Sequence, residues 1–578
     1  DSALSKLSAS PNLAEILTDN STVYIKNYGP GRLATTALRG GAAQHTAILW
    51  NGIQLQNPML GQIDLSLIPV LFMDEVNISY GGSSALWGSG ALGGSIHLSN
   101  LPQFEKDWQG QWRGTFGNFG QLNNELELGY SSDKFSTSTR AFYQKSENDF
   151  PFQTDIGTEK KLDHSKLENG GFLQSLSFRP GIRHHVSAQF WYQHTNRQIP
   201  PLRNQSLSVA TQQEKANRSN FHWKYKGNKF VWDTRLAYFD EQLIYTDSIA
   251  DIFSDSKTKS IIAESETSHY LSAKHQLNAG LNYTRYRAAS TAYIAPQNQN
   301  RLAAFFSYRY RSENQNLSYT LNFRQELVDG SWIPFTPSAG MEWQFHPDWK
   351  LQSTIARNFR LPGLNDLYFN PGGNPELKPE QGWSEDIGLT FQRNFRHHYF
   401  KVNATLFNRN INNWIIWLPR GNIWSPENVQ EVWSRGLESS FQWTLTRKKW
   451  QLMTRLNYDY VRSTNQKAKS LNDASLGKQL IYVPVHKING NLHLKYKSWS
   501  LAWWQAYTDA VFLLADNSES LPGYWLSHFS LGRHLKFQAL KVNLNIKINN
   551  LFDKDYEVVA GRPMPGRHYA LSLNLQFK

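Results

Sequence analysis

The chain has 578 residues, a formal net charge of +13 and no cysteine, so no disulfide framework holds it together. No run of eighteen apolar residues occurs, which excludes membrane-spanning helices, and the basic residues form no dense cluster typical of nucleic-acid binding. Aromatic residues make up 14% of the chain, yet its mean hydropathy is −0.55. Many aromatic residues in a hydrophilic chain are typical of a transmembrane β-barrel.

The first hundred residues predict a small α+β unit, residues 1–103. Residues 12–17 predict a short helix that Ser10 or Asn12 caps. Before them there is no basic or apolar signal region, so we expect that any signal peptide has been removed. Asn51-Gly52 is a hairpin signal. Strands are predicted at residues 23–26, 38–41, 46–50 and 76–80.

A glycine-rich stretch closes this unit. Six glycines fall between residues 81 and 94, and an alternating strand follows at 95–98. Gly88, Gly90 and Gly93 match the G-x-G-x-x-G pattern of dinucleotide sites, but that pattern requires a helix after it, and a strand follows here. Glycine also permits close approach of a backbone to its neighbours. The stretch therefore predicts a compact segment packed inside something larger.

Past residue 103 the sequence becomes a series of strands whose two faces differ in polarity. Residues 542–549 are typical: Val542, Leu544, Ile546 and Ile548 lie on one face, and Asn543, Asn545 and Lys547 lie on the other. A face of Asn and Lys fits a packed sandwich core poorly, whereas the lumen of a barrel accepts it. We expect the polar face to point at the lumen and the apolar face at lipid.

Short turns and long connections alternate along this region. The short turns are predicted at 131–134, 179–183, 226–229, 311–315, 393–398, 447–449 and 497–498. The long connections are predicted at 147–168, 196–214, 241–260, 361–382, 410–430, 463–484 and 550–567. This is the pattern of outer-membrane barrels, and it predicts about 22 antiparallel strands over residues 104–578, in the size class of plugged transporters. Nearly every short turn holds Lys or Arg, which suits anionic headgroups of the periplasmic leaflet. The alternative is that these turns are basic only because turns are polar in general.

Together these features resemble the TonB-dependent outer-membrane receptors over essentially the whole chain. In the N-terminal unit the resemblance rests on residues 38–41, 49–53, 65–77 and 80–98. In the barrel it rests on residues 356–362, 373–379, 435–438 and 549–556 and on the ending Leu575-Gln-Phe577. The resemblance implies an all-β membrane barrel in the outer membrane of a Gram-negative-type cell. It also implies an N-terminal plug inside the barrel and uptake of a scarce nutrient, energised by the TonB complex.

The family pattern includes a TonB-binding box well before the first plug helix. Here only about ten residues precede Asn12, and Ser2–Leu7 matches such a box poorly. We expect that a flexible leader has been removed from this chain. The alternative is a receptor-fold subunit that is not energised and acts as a scaffold in a larger outer-membrane assembly.

The plug segments are most similar to the cobalamin-receptor branch of the family. Two plug loops meet the ligand in that branch, and they match residues 54–62 and 86–91 of this chain. The ligand-binding residues implied by this match are Gln54, Gln56, Asn57, Met59, Leu60, Gln62, Trp87 and Ser89. A corrinoid presents amides and a broad apolar ring, which such side chains satisfy without net charge. Packing is the alternative role of Met59, Leu60 and Trp87. We expect Gln56, Asn57 and Gln62 to be exposed.

Other ligands stay open. Arg, Gln and aromatic residues, which are plentiful here, also bind the iron chelates of siderophore receptors. A haem receptor needs His ligands, but we expect His45, His184-His185 and His397-His398 to be polar turn residues. Asp247, Asp251 and Asp255 share one predicted loop, yet their spacing is not that of a dense calcium loop.

No pairing of a nucleophile with a base and no cluster of metal ligands predicts an enzyme, a metal site or a cofactor. The expected partners are the TonB complex, the small-molecule nutrient, the lipid bilayer and, as a further possibility, a surface lipoprotein. No nucleic-acid partner is expected.

Overall fold

The structure, a computed structural model, describes residues 12–104, 107–421 and 423–577. The N-terminal unit contains helices α1 (Leu13–Asn20) and α2 (Ser84–Trp87) and strands β1 (Tyr24–Asn27), β2 (Ala34–Ala37), β3 (Thr46–Trp50), β4 (Ile53–Gln54), β5 (Glu75–Tyr80) and β6 (Gly94–Ser99). Short 3₁₀ helices occupy Ala43–His45, Leu65–Leu67 and Val70–Phe72. β1 and β2 pair with each other, and the other four strands form a sheet in the order β4-β3-β6-β5, in which β3 and β6 are parallel.

Local sequence signals explain most of these elements. The side chain of Asn12 caps α1 by accepting a hydrogen bond from the Glu15 backbone N–H at 3.1 Å. The predicted hairpin at Asn51-Gly52 joins β3 to β4, and both residues have positive φ angles. The predicted strand at residues 38–41 is wrong. Arg39 and Gly40 have φ angles of 51° and 70°, so this segment is a turn after β2.

The core of the N-terminal unit continues into the barrel wall. Trp50 and Phe72 are fully buried, and each packs edge to face on Trp191 of the barrel with ring centroids 5.5 Å apart. Phe72 also meets Phe142 of the wall at 5.4 Å. Aromatic pairs of this kind add specific contact energy to the burial of their surface. The unit is therefore a plug that packs against the inside of the barrel.

The rest of the chain forms a closed antiparallel barrel of 22 strands. The strands are β7 (Asp107–Gly117), β8 (Leu122–Ser131), β9 (Phe135–Ser146), β10 (Leu167–Phe178), β11 (His184–Gln198), β12 (Thr211–Lys226), β13 (Phe230–Asp247), β14 (Ile252–Tyr270), β15 (His275–Ser290), β16 (Gln297–Arg311), β17 (Leu317–Val328), β18 (Thr336–His346), β19 (Trp349–Arg360), β20 (Glu380–Phe395), β21 (His398–Arg420), β22 (Ile423–Arg447), β23 (Trp450–Asn465), β24 (His486–Tyr496), β25 (Trp499–Thr508), β26 (Tyr524–Phe537), β27 (Leu540–Asn549) and β28 (His568–Phe577). The last strand closes the barrel on the first, with Phe577 opposite Gly110. The predicted fold class and strand number are confirmed.

The long connections carry small elements of their own. Helix α3 (Leu364–Tyr368) lies in the connection between β19 and β20. Short strands pair within four other connections: Pro151–Gln153 with Glu159–Lys161, Val511–Phe512 with Ser520–Leu521, Glu557–Val559 with Arg562–Pro563, and Ser331–Trp332 with the end of β17. Within the described ranges, no helix is long and apolar enough to cross a membrane.

The predicted short turns agree with the structure, but two of the predicted long connections do not. In place of the connection predicted at 241–260, β13 and β14 run on to a turn at residues 248–251. In place of the one predicted at 410–430, β21 and β22 run on as far as Arg420 and Ile423. Both segments form long hairpins, because the two strands of each continue to hydrogen-bond with each other up to the turn.

The two faces of the strands are arranged as predicted. In β27, Leu544 and Ile546 are exposed on the outer wall, whereas Lys547 is buried in the lumen, where its ammonium lies 3.3 Å from Asp19 of α1. The plug elements end at Ser99 and the barrel begins at Asp107. The predicted domain boundary after residue 103 lies in the connection between them and stays a prediction.

Candidate ligand site at the plug apex

The two plug loops that the sequence singled out are joined to each other by amide hydrogen bonds. Gln54, at the end of β4, donates from Nε2 to the backbone carbonyls of Trp87 at 2.7 Å and Ser89 at 3.0 Å. Gln56 donates from Nε2 to the Thr46 carbonyl at 2.7 Å. The structure thus brings residues 54–62 and 86–91 together, and it uses the donor groups of both glutamines to hold the loops.

Within the first loop, Asn57 and Met59 have structural roles. The Asn57 side-chain oxygen accepts from the Met59 backbone N–H at 2.9 Å, and the Asn57 carbonyl accepts from Gly61 at 2.7 Å. Met59 is buried and packs with Tyr293 and Leu364 of the barrel connections. Gln62 is half-buried, and its carbonyl accepts from the Asn57 N–H. The loop is therefore a rigid turn that Asn57 organises.

The second loop is fastened to barrel strand β19. The Ser84 N–H donates to the Asn358 side-chain oxygen at 3.1 Å, and the Leu361 N–H donates to Ser89 Oγ at 2.9 Å. A Cβ on Gly82 would lie 1.9 Å from Asn358 Nδ2, so this approach requires glycine. The glycine-rich stretch and the segment 356–362 were recognised separately in the sequence, and in the structure they contact each other.

Trp87 packs mainly within the plug. It is half-buried against Ala47, Leu49 and Ala91, and its ring meets His97 edge to face with centroids 4.9 Å apart. Burial lowers the pKa of His97. Trp87 also lines a cavity of about 50 Å³ between the plug and the wall, whose other lining residues include Glu264, Arg301, Arg324 and Glu326. This volume has room for ordered water but not for a nutrient.

Two leucines are the apolar side chains that project from the loops. Leu60 is 41% exposed and Leu86 is 46% exposed, although each lies beside buried neighbours. Leu60 was among the predicted ligand residues, whereas Leu86 lay in the predicted loop but was not singled out. The signal that identifies Leu86 is its place directly before Trp87 in the second loop, and its side chain also lines the small cavity between the plug and the wall.

The first loop is covered by the connection that carries α3. The Leu364 N–H donates to the Pro58 carbonyl at 3.0 Å, and the Asn365 N–H donates to the Met59 carbonyl at 3.0 Å. The Tyr293 hydroxyl in turn donates to the Asn365 side-chain oxygen at 2.6 Å. A ligand that contacts Met59 directly therefore requires this connection to move.

A buried charge network connects the plug to the same connection, and the sequence did not reveal it. His45 is fully buried, not a polar turn residue as expected, and its Nε2 lies 2.7 Å from Glu380. Arg360 bonds both Glu380 and Asp366 of α3 at 2.9 Å. Burial lowers the pKa of His45, although Glu380 opposes this effect. Because the Ala42 N–H donates to His45 Nδ1 at 3.0 Å, the ring proton is placed on Nε2.

Further ion pairs join the plug to several strands of the barrel wall. Arg39 pairs with Asp386 at 3.0 Å and with Glu438 at 2.8 Å. The other pairs between plug and wall are Asp74–Arg140, Asp64–Arg197 and Asp19–Lys547. Helix α1 is also held through its backbone, because Asn489 donates to the carbonyls of Thr18 and Asp19. Lys487 donates to the carbonyl of Val23, which lies between α1 and β1.

Both parts of this architecture match family models. Residues 201–551 match the model described as "TonB dependent receptor-like, beta-barrel", and residues 2–95 match "TonB-dependent Receptor Plug Domain". The chain belongs to the TonB-dependent receptor family. Receptors of this family are outer-membrane proteins of Gram-negative bacteria, bind small-molecule nutrients and interact with TonB. They are not enzymes, so the predicted location and the absence of enzymatic function are confirmed.

Curated relatives of this TonB-dependent receptor include vitamin B12 transporters. The chain is 22% identical to "Vitamin B12 transporter BtuB" of Photobacterium profundum, over 98% of this chain and 90% of the relative. It is 23% identical to the protein of that name from Vibrio vulnificus, over 71% and 66%.

Solved structures share the fold at lower identity. "Copper transporter OprC" superposes with a TM-score of 0.81 at 15% identity, over 98% of this chain and 97% of that one. The siderophore receptor PirA of Acinetobacter baumannii superposes with a TM-score of 0.80 at 14% identity, over 100% and 97%. At these identities the likeness concerns the fold alone.

The remaining candidate residues of the receptor lie apart from the apex. His184 and His398 begin β11 and β21, at the end of the barrel that carries the short turns. Asp247 accepts hydrogen bonds from the adjoining turn, and Asp255 pairs with Lys257 at 3.2 Å. Over the part of the chain that the structure describes, no three acidic, His or Cys residues are grouped to hold a metal ion. Ser2–Leu7, compared above with a TonB box, lies outside the described residues.

Proposed function

We propose that this receptor imports a corrinoid of the vitamin B12 class with energy from the TonB complex. The observation that carries the proposal is the pair of exposed leucines, Leu60 and Leu86, on two plug loops that Gln54 joins together. The curated vitamin B12 transporters that align over nearly the whole chain support the same ligand class.

The chemistry of the apex suits a large ligand without net charge. Leu60 and Leu86 offer apolar surface to a broad ring, and binding buries that surface. The Oε1 atom of Gln56 is buried, and none of the described residues donates a hydrogen bond to it. An amide group of the ligand is a suitable donor for this oxygen once the atoms that cover it move aside. The eight predicted ligand residues remain the proposed site, with Leu86 added.

The roles within that proposed site differ. Gln54, Asn57 and Ser89 are positioning residues, because their side chains hold the two loops in place. A rigid pair of loops loses little conformational entropy when a ligand binds. Entry of the ligand displaces α3 from the first loop, because the backbone of Leu364 and Asn365 is bonded there.

The test is binding of cyanocobalamin to the purified full chain, measured by isothermal titration calorimetry. Replacing both leucines with asparagine (Leu60→Asn and Leu86→Asn) is expected to weaken binding by about tenfold or more, since each leucine loses apolar contact. Leu101→Asn is the matched control, because Leu101 is a plug leucine that is 49% exposed beyond the last plug strand. Unchanged affinity of the double variant would move the site away from the apex.

A second measurement separates ligand class from energy coupling. If the protein binds a ferric siderophore and does not bind cyanocobalamin, the proposed ligand class changes from a corrinoid to an iron chelate. Uptake by cells with and without an active TonB complex then tests the energy source. Equal uptake in both strains would contradict TonB coupling, and no uptake in either, with the protein fixed in a larger assembly, would favour the scaffold alternative.

A further inference from the structure

Four basic side chains form a patch on the outer wall of the barrel, away from the plug. They lie on the neighbouring strands β14 and β15: Lys257, Lys259, Arg285 and Arg287, called here the basic patch. All four are exposed, and each alternates with a buried lumen-facing residue. Lys259 is directly opposite Arg287 in the strand register, so the four charges lie within one small area.

The basic patch lies where the apolar band of the barrel ends. Directly below it, towards the short turns, the outer wall shows Ile261, Leu281 and Tyr283, which are all exposed. Above it, the strands continue to the connections at 248–251 and 291–296, on the side of the barrel that carries the long connections. That side is extracellular in outer-membrane barrels. The basic patch is therefore level with the headgroups of the outer leaflet.

The positive charge of the patch is only half neutralised. Lys257 pairs with Asp255 at 3.2 Å, and Lys259 lies 3.7 Å from Asp240. Arg285 and Arg287 form no ion pair with any residue in the described ranges. Exposed lysine pairs contribute little energy and exchange readily. Two guanidinium groups are thus free to bind an anion, and the lysines can join them.

An apolar depression of about 580 Å³ adjoins the basic patch on the same wall. Large side chains frame it, namely Leu176, Phe190, Phe221, Leu236, Tyr238 and Ile261. The small residues Ala188 and Ser219 lie between them and form its floor. Ile261 belongs to the depression and is also directly opposite Arg285 of the patch. The two features therefore form one continuous surface, charged at the top and apolar below.

We propose that this surface binds a phosphorylated lipid of the outer leaflet, with the phosphate on the basic patch and an acyl chain in the depression. Arginine bonds phosphate oxygens in a bidentate manner. A headgroup with net negative charge is attracted to the basic patch more strongly than a zwitterionic one, whose own cationic group offsets the charge of its phosphate. The depression fits a flexible hydrocarbon chain because its framing side chains are apolar. The proposal concerns the barrel wall and is independent of the nutrient that the plug binds.

The experiment uses the full chain in detergent with two probes of equal acyl composition, bisphosphorylated lipid A and the same lipid after removal of its phosphates. Native mass spectrometry measures the bound lipid. The wild-type protein is expected to retain the phosphorylated probe preferentially. The double variant Arg285→Gln/Arg287→Gln is expected to bind that probe about thirtyfold more weakly, because two basic contacts with an anionic headgroup are lost.

Three further variants make the result specific. Lys160→Gln/Lys161→Gln removes two exposed charges from an extracellular connection and should leave binding unchanged. Arg285→Lys/Arg287→Lys should restore part of it, because the charge is kept. Ala188→Trp fills the depression and should weaken retention of both probes. Equal retention of the two probes by the wild type, or full retention by the double Gln variant in a folded barrel, would overturn the proposal.

Discussion

Among single residues, His45 has the sharpest consequences. Its ring is buried between the plug and the wall, where Nδ1 accepts from Ala42 and Nε2 meets Glu380. Protonation of Nδ1 removes the hydrogen bond from Ala42, and burial lowers the pKa of the ring below its usual value near 6.5. The unfolded chain therefore binds this proton more readily than the folded one. It follows that stability from this site is fully present above the unfolded pKa and is lost progressively as the pH falls from that value through the lower folded pKa.

We expect the wild-type protein to unfold at a lower temperature as the pH falls below about 6.5, and the variant His45→Gln to show a smaller decrease. Thermal unfolding in detergent, followed by intrinsic Trp fluorescence over this pH range, measures the difference between the two proteins. His397→Gln is the control, because His397 is an exposed histidine on the short turn between β20 and β21. Parallel pH profiles for wild type and His45→Gln would contradict this role.

At the scale of elements, strand β27 tests the assignment of the two barrel faces. Leu544 is exposed on the outer wall, and Asn545 faces the opposite way and hydrogen-bonds with Ser530. Leu544→Arg is expected to cost about 2–4 kcal/mol if the site is near the bilayer midplane, because the charge faces hydrocarbon. Asn545→Arg places the same charge towards the lumen and should cost less. Folding into vesicles under urea titration measures both values, and equal costs would refute the assignment.

The connection with α3 provides a second test at this scale, and it rests on the proposed function. Met59 and Leu364 pack together where the connection covers the first plug loop. The chain has no native cysteine, so Met59→Cys/Leu364→Cys creates a single pair of thiols. We expect oxidation of this pair to block nutrient uptake and reduction to restore it. A cross-link within another connection, Gln153→Cys/Glu159→Cys, should leave uptake unchanged.

The sequence predicted the elements that depend on local or periodic signals. The alternation in β27, the short turns and the Asn12 cap agree with the structure because neighbouring residues determine them. The turn at Arg39-Gly40 was missed because Leu38 favours a strand, although Gly40-Gly41 is itself a turn signal and determines the backbone here. The long hairpin of β21 and β22 was missed because hydrogen bonds with the partner strand, not residue type, decide where such strands end.

For the molecule as a whole, the plug is held by contacts between residues far apart in the chain. Arg39 and Glu438 are separated by 399 positions, and Asp19 and Lys547 by 528. No sequence pattern predicts such pairings, and the network of His45, Glu380 and Arg360 was missed for the same reason. The candidate site differs, because its two loops were located from the family resemblance. Only the packing in the structure shows which side chains support the loops and which side chains project from them.

The ion pairs of Arg39 lead to a prediction about how firmly the plug closes the lumen of the barrel. Arg39→Gln leaves Asp386 and Glu438 without their cation in a nearly dry setting, and losing one partner of such a buried group costs about 3–5 kcal/mol. We expect the plug to loosen while the barrel stays inserted, so that cells become sensitive to large antibiotics. Arg420→Gln breaks an exposed ion pair with Glu427 and serves as control. Equal antibiotic sensitivity of both variants and wild type would contradict this role.

The way in which α1 is attached has a mechanical consequence. Asn489, Lys487 and Lys547 bind the plug through separate side chains near its first helix. A force applied at the N-terminal end of α1 loads these contacts one after another, so each can break separately. β3 and β6 pair in parallel over five residue positions, so a force directed along these strands loads all of their hydrogen bonds at once. We therefore expect the contacts of the first helix to break at a lower force than the paired strands β3 and β6.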